Sequence, residues 1–129
     1  MGQFVGLKSA DGFVLPAWVA EPDAPPRGAV VVLQEIFGVN NHIRAVADRF
    51  AARGYLAVAP STFHRVQPGV DMGYTGDDMQ AGIALKAAVE GLPAPGVMPD
   101  IQAAIDYAAE RSGRKVGIVG FCWGGLLTW

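Results

Sequence analysis

Residues 115–125 read KVGIVGFCWGG, an apolar run that ends in a cysteine flanked by glycines. Few folds accommodate that string. Gly120 and Gly124 stand two before and two after Cys122, the spacing of a nucleophile elbow, G-x-S-x-G, with sulfur in place of oxygen. A strand that turns sharply into a helix leaves no room for a Cβ at either glycine. Gly125 is expected to let the helix start close to the strand. The turn would lift the thiol above the strand ends and set it at a helix N-terminus, whose partial positive charge favours thiolate. The N–H of Trp123 would face the acyl oxygen as half of an oxyanion hole. The competing reading of Cys122 is a buried structural cysteine. Neither a dinucleotide-binding glycine pattern nor a P-loop fits these glycines.

The rest of the chain supplies the context that such an elbow needs. Phe4–Lys8 and Phe13–Ala20 read as strands joined by a turn at 10–12, and 21–28 as a proline-rich loop. Ala29–Leu33, Tyr55–Ala59 and Lys115–Val119 are short apolar runs, expected as strands buried on both faces. Between them, Ile43, Val46, Ala47 and Phe50 recur at helical spacing, with Asn41 as cap and Gly54 as stop. Thr75 to Asp78 fits a capping box for a helix to about Val89. Pro99 opens a further helix, with Ile101, Ala104, Ile105 and Ala108 on one face and Gly113 as its end. Strands alternating with amphipathic helices predict a mostly parallel sheet covered on both faces, with an antiparallel meander of the first two strands at its edge.

Composition narrows the function. The 129 residues are 51% hydrophobic, enough for a real core, and carry a net charge of −2. The ten Lys and Arg are scattered, so no nucleic-acid surface is expected. No apolar run reaches the ~18 residues of a membrane helix. The single cysteine excludes an intrachain disulfide and a cysteine-rich metal site, and no leader is evident, so the expected setting is cytoplasmic and reducing.

Two segments carry a family resemblance. GFCWGG at 120–125 and QEIFGVN at 34–40, about 80 residues apart, together resemble the dienelactone hydrolases, or carboxymethylenebutenolidases. GYLAVAP at 54–60 and the helix from Asp100 to Ala108 add to the likeness. The resemblance implies an α/β-hydrolase fold and a hydrolase of esters or lactones working through a thioester on a cysteine nucleophile. By position, Cys122 is the nucleophile, Glu35 is its proton partner, and the N–H groups of Ile36 and Trp123 form the oxyanion hole. Glu35 directly follows an apolar strand, which puts it at the strand's C-terminal end, where α/β sites form. The alternative for Glu35 is a solvated loop carboxylate. No metal or organic cofactor is implied.

Such a mechanism also needs an acid and a histidine after the nucleophile. None of the seven residues after Cys122 is Asp, Glu or His. His42 is expected as a solvated or capping residue, and His64, in the long loop beside Arg65, as a surface residue or one at a pocket mouth. The expectation is therefore a single unit, 1–129, forming the N-terminal part of an α/β-hydrolase domain truncated after the elbow. It would be inactive alone, with an open sheet edge that the missing C-terminal half or an edge-covering partner would close. Residues 66–92 contain no arginine, only Lys86, among Asp71, Asp77 and Asp78, which argues against a substrate held by its carboxylate. Tyr74 lies in this stretch, within reach of a pocket or simply packed. Two other readings remain open at this point: a non-catalytic binding module, and a redox-responsive thiol protein.

Overall fold

The computed structural model describes residues 2–128. Five strands form one sheet in the order β1-β2-β4-β3-β5, where β1 is Gln3–Lys8, β2 Val14–Ala20, β3 Gly28–Leu33, β4 Tyr55–Pro60 and β5 Val116–Gly120. The β3–β4 and β3–β5 ladders are parallel; β1–β2 and β2–β4 are antiparallel. Helices α1 (Asn41–Ala52), α2 (Gly76–Glu90), α3 (Met98–Ser112) and α4 (Trp123–Thr128) complete the chain. This is the expected α/β architecture with its antiparallel edge.

Side chains alternate across the sheet with period two. Ala29, Val31 and Leu33 of β3 and Leu56 and Val58 of β4 share a core with Ile101, Ala104 and Ala108 of α3. On the opposite face Val32 and Ala59 meet Ile43 and Val46, while Ala57 meets Ala47 and Ala51 of α1. The alanines let α1 lie close on the sheet.

Several details depart from the expectations. The cap of α1 is Asn40, whose side chain accepts from the N–H of Ile43 at 3.2 Å. Asn41 is already helical, and its side-chain oxygen accepts from Arg44. Phe13 lies outside β2, because the turn claims its N–H for Asp11 Oδ1 at 3.1 Å. The larger difference is β5. It is expected to be buried on both faces, but Val116, Ile118 and Val119 are only half-buried and Gly117 is exposed. The cause is its position: among the described residues β5 pairs with β3 alone, which is the open sheet edge expected from the sequence.

Arg65 ties the long loop after β4 to two distant elements. Its guanidinium grips Asp100, at the start of α3, in a fork of 2.7 and 2.8 Å. It also bonds Asp11 in the β1–β2 turn and lies 4.4 Å from the Phe13 ring centre. Asp100 is buried, so this pair is shielded on its carboxylate side.

The β5–α4 turn sets up the site. Cys122 has φ +56°, the only positive φ at a non-glycine among the described residues. An L-residue held there costs ~1–2 kcal/mol. A Cβ on Gly120 would strike the carbonyl of Gly124, and one on Gly124 would lie 2.5 Å from the Gln34 oxygen and 2.6 Å from the Leu33 oxygen. Both glycines therefore do what their spacing predicts. Gly125 does not: a Cβ there would make an ordinary 3.5 Å contact, so it is Gly124 that lets α4 approach β3.

Four outcomes follow from this packing. Asp100→Ala should lower stability in urea by about 2–4 kcal/mol, because it removes the buried partner of Arg65. The hydrogen bond from Arg65, aided by the N–H of Phe13, holds the Asp11 carboxyl down at about 2. Its contribution is therefore complete above the unfolded carboxylate value of ~3.9 and is lost as pH falls through about 2. Asp11→Asn should flatten that part of an acid-unfolding curve. Gly124→Ala should cost about 2–3 kcal/mol by overpacking, whereas Cys122→Gly should be no less stable than the parent, since it relieves the left-handed strain.

Candidate active site

Register brings the two motifs together. Leu33 pairs with Gly120, and the N–H of Phe121 extends that ladder to the Leu33 carbonyl at 3.4 Å. Glu35 and Cys122 each stand two residues beyond this pair, leaving neighbouring parallel strands at the same level. Cys122 is an exposed free thiol. Trp123 turns its indole inward instead, stacked on Phe63 at 5.2 Å.

The Glu35 loop is pinned from below. The buried amide of Gln34 donates to the Glu35 carbonyl at 2.9 Å and accepts from the N–H of Thr62 at 3.1 Å. Gly38, at φ +85°, makes an isolated bridge to Asp71, and a Cβ there would strike the carbonyl of Val70. A β-carbon on Gly82 of α2 would meet the Ile36 carbonyl in the same way. Bare glycine thus allows two neighbouring segments to press on this loop.

Glu35 is half-buried as a residue, and its carboxylate accepts from the Tyr74 hydroxyl at 2.7 Å in an exposed contact. Among the described residues it forms no ion pair and shares no hydrogen bond with Cys122. Burial, then donation to Glu35, pushes the Tyr74 phenol above its ordinary value, against a smaller lowering effect of Asn40. Asn40 is the junction of this corner. Its Nδ2 donates to the Met72 carbonyl at 2.9 Å and to the Tyr74 hydroxyl at 3.3 Å, while its Oδ1 caps α1. Among the described residues, neither the Ile36 N–H nor the Trp123 N–H is taken by a backbone carbonyl.

Among the described residues neither histidine shares a hydrogen bond with Glu35 or Cys122. His42 is exposed and packs edge-on to Phe121 at 6.1 Å, without capping α1. His64 packs on Phe13 at 5.7 Å and lines a cleft of about 300 Å3 with Phe4, Pro16 and Val70. Sequence reasoning left Tyr74 without a role because a loop residue 39 positions from Glu35 gives no periodic signal. Asn40, by contrast, lies inside the 34–40 motif.

No helix among the described residues is long and apolar enough to cross a membrane. The model of the dienelactone hydrolase family matches residues 15–129. A relative from Synechocystis, named among the carboxymethylenebutenolidases, is 40% identical over 119 residues, which cover 89% of this chain and 47% of the relative. A carboxymethylenebutenolidase from Pseudomonas putida is 35% identical over 126 residues, 96% of this chain and 52% of the relative. A solved chain from Klebsiella pneumoniae, named as a dienelactone hydrolase, superposes with a TM-score of 0.75 at 31% identity, covering 97% of this chain and 51% of that one. This chain spans about half the length of the curated relatives it matches. A matched family model over most of the chain, two motifs joined by strand register and a shared fold give one conclusion: the chain belongs to the dienelactone hydrolase family, a family of α/β-hydrolase enzymes.

Proposed function

We propose that residues 1–129 are the nucleophile-bearing part of an ester or lactone hydrolase domain and that Cys122 is its nucleophile. The observation that carries this reading is the exposed thiol at φ +56°, held by a glycine-lined turn beside the Glu35 loop. Strain at one non-glycine residue persists only where the surroundings enforce it, and such residues cluster at working sites.

In the proposed cycle the thiol proton passes to Glu35 and sulfur attacks the ester carbonyl carbon. The N–H groups of Ile36 and Trp123 receive the oxyanion. Expulsion of the alcohol, which recovers a proton, leaves a thioester on Cys122. Water then releases the acid, a step that calls for a histidine base oriented by a carboxylate. Neither His42 nor His64 fills that role. The base and its acid are assigned to the remainder of the domain, or to a partner, docked on the open side of β5. A thiol nucleophile works in a reducing compartment, which supports a cytoplasmic setting.

The substrate is assigned as an uncharged ester or lactone. Three of the cations are engaged in ion pairs: Arg44 with Asp71 at 2.9 Å, Arg65 with Asp100 and Asp11, and Lys86 with Glu90 at 3.2 Å. A carboxylate-bearing substrate would have to compete for them.

The test is stoichiometric acylation. An activated aryl ester should release about one equivalent of its phenol per chain and leave one acyl group on Cys122, located by peptide mass spectrometry. Turnover afterwards should stay far below the 1–1,000 per second of ordinary enzymes. Cys122→Ala should abolish the burst. Acylation no faster than in the urea-unfolded chain, or turnover at enzymatic rates from 1–129, would contradict the proposal.

A further inference from the structure

The Glu35 carboxylate has one donor among the described residues, and it is a phenol, not a cation. A phenol gives one directed hydrogen bond and no charge. It can orient a carboxylate without the Coulombic bias of an arginine. The contact is also built rather than incidental. The 71–74 segment is tied to the 37–40 segment by the Gly38–Asp71 bridge and by Met72 N–H to the Phe37 carbonyl at 2.9 Å. Asn40 adds its bonds to the Met72 carbonyl and the Tyr74 hydroxyl. The Tyr74 ring meets Phe37 edge-on at 4.6 Å. Side chain and backbone are thus both held, although the ring remains half in solvent.

We propose that Tyr74 is a positioning residue for Glu35: its hydroxyl, oriented by Asn40, holds one carboxylate oxygen away from Cys122 and leaves the other for the thiol proton. This rests on the reading of Glu35 as the proton partner of Cys122. Tyr74 also lines a cleft of about 430 Å3 with Asn40, His42, Asp71 and Gly73. Other charged groups here are committed elsewhere: Asp71 pairs with Arg44, and Asp78 closes the Thr75 capping box. His42 lines the cleft without bonding Tyr74 or Glu35. When Tyr74 lets go, the carboxylate is free to face the sulfur. A neighbouring carboxylate favours the protonated thiol, both by accepting its hydrogen and by repelling the thiolate.

The experiment is the pH profile of Cys122 alkylation by iodoacetamide in four chains: parent, Tyr74→Phe, Glu35→Gln and the double variant. Phenylalanine keeps the ring contact with Phe37 and removes only the hydroxyl. Tyr74→Phe should raise the midpoint by about half a unit, a roughly threefold slower reaction below it. Glu35→Gln should lower the midpoint, and in that background Tyr74→Phe should change nothing. An unmoved midpoint in Tyr74→Phe while Glu35→Gln shifts overturns this proposal alone. A midpoint unmoved by Glu35→Gln overturns the proton-partner reading, and this proposal with it. Equal shifts by Tyr74→Phe in both backgrounds also overturn it, because the effect then bypasses Glu35. An independent readout needs no Tyr74 variant: the Tyr74 phenol, followed by NMR, should titrate lower in Glu35→Gln than in the parent, and an unchanged titration counts against the contact.

Discussion

The parallel ladder between β3 and β5 is the contact on which the rest depends. It fixes Leu33 against Gly120, and from that pair the chain leaves both strands at one level. A slip of one residue would turn every side chain of β5 to the other face and carry Cys122 away from Glu35. The register is locked at its end by backbone touching backbone, because Gly124 rests on the carbonyls of Leu33 and Gln34. No side chain could hold the two segments that closely. The same contact explains why α4, six residues long, forms at all: it is set by packing, since helices this short have little stability of their own.

Around this ladder the molecule separates rigidity from exposure. Below the strand ends lie Val31, Leu33, Val58, Phe63 and Trp123, all buried. Above them the functional groups emerge on short, over-constrained turns. Gln34 and Asn40 are buried amides that spend their hydrogen bonds on backbone and on Tyr74, and so convert a loop into a fixed platform. Buried polar side chains with satisfied partners specify geometry in a way that apolar packing alone does not. Among the described residues, the Thr62 hydroxyl, His64 Nδ1 and Trp123 Nε1 are buried without a protein hydrogen-bond partner.

Local sequence made much of this legible. Apolar runs and glycine offsets are short-range signals, and they carried the strands, the elbow and the placement of Glu35 beyond β3. The cap of α1 was missed by one residue because Asn40 and Asn41 are chemically equivalent and only the helix start decides between them. The half-exposure of β5 is not written in its own residues, which are as apolar as those of β3; it comes from having one neighbour. Tyr74 illustrates the general case. Its partner was visible from the motif, but the fold alone brings a residue from the far end of a long loop to that partner.

The central claim is that strand register places Glu35 beside Cys122 at one end of the sheet, and chemical bridging tests it most directly. In Glu35→Cys, a short bifunctional thiol reagent such as dibromobimane should join residues 35 and 122 within one chain, as read by peptide mapping of the monomer. Asp23→Cys, in the loop that precedes β3 at the opposite end of that strand, should give no bridge to Cys122. Failure of the 35–122 bridge in the folded chain, or equal bridging from position 23, would contradict the account.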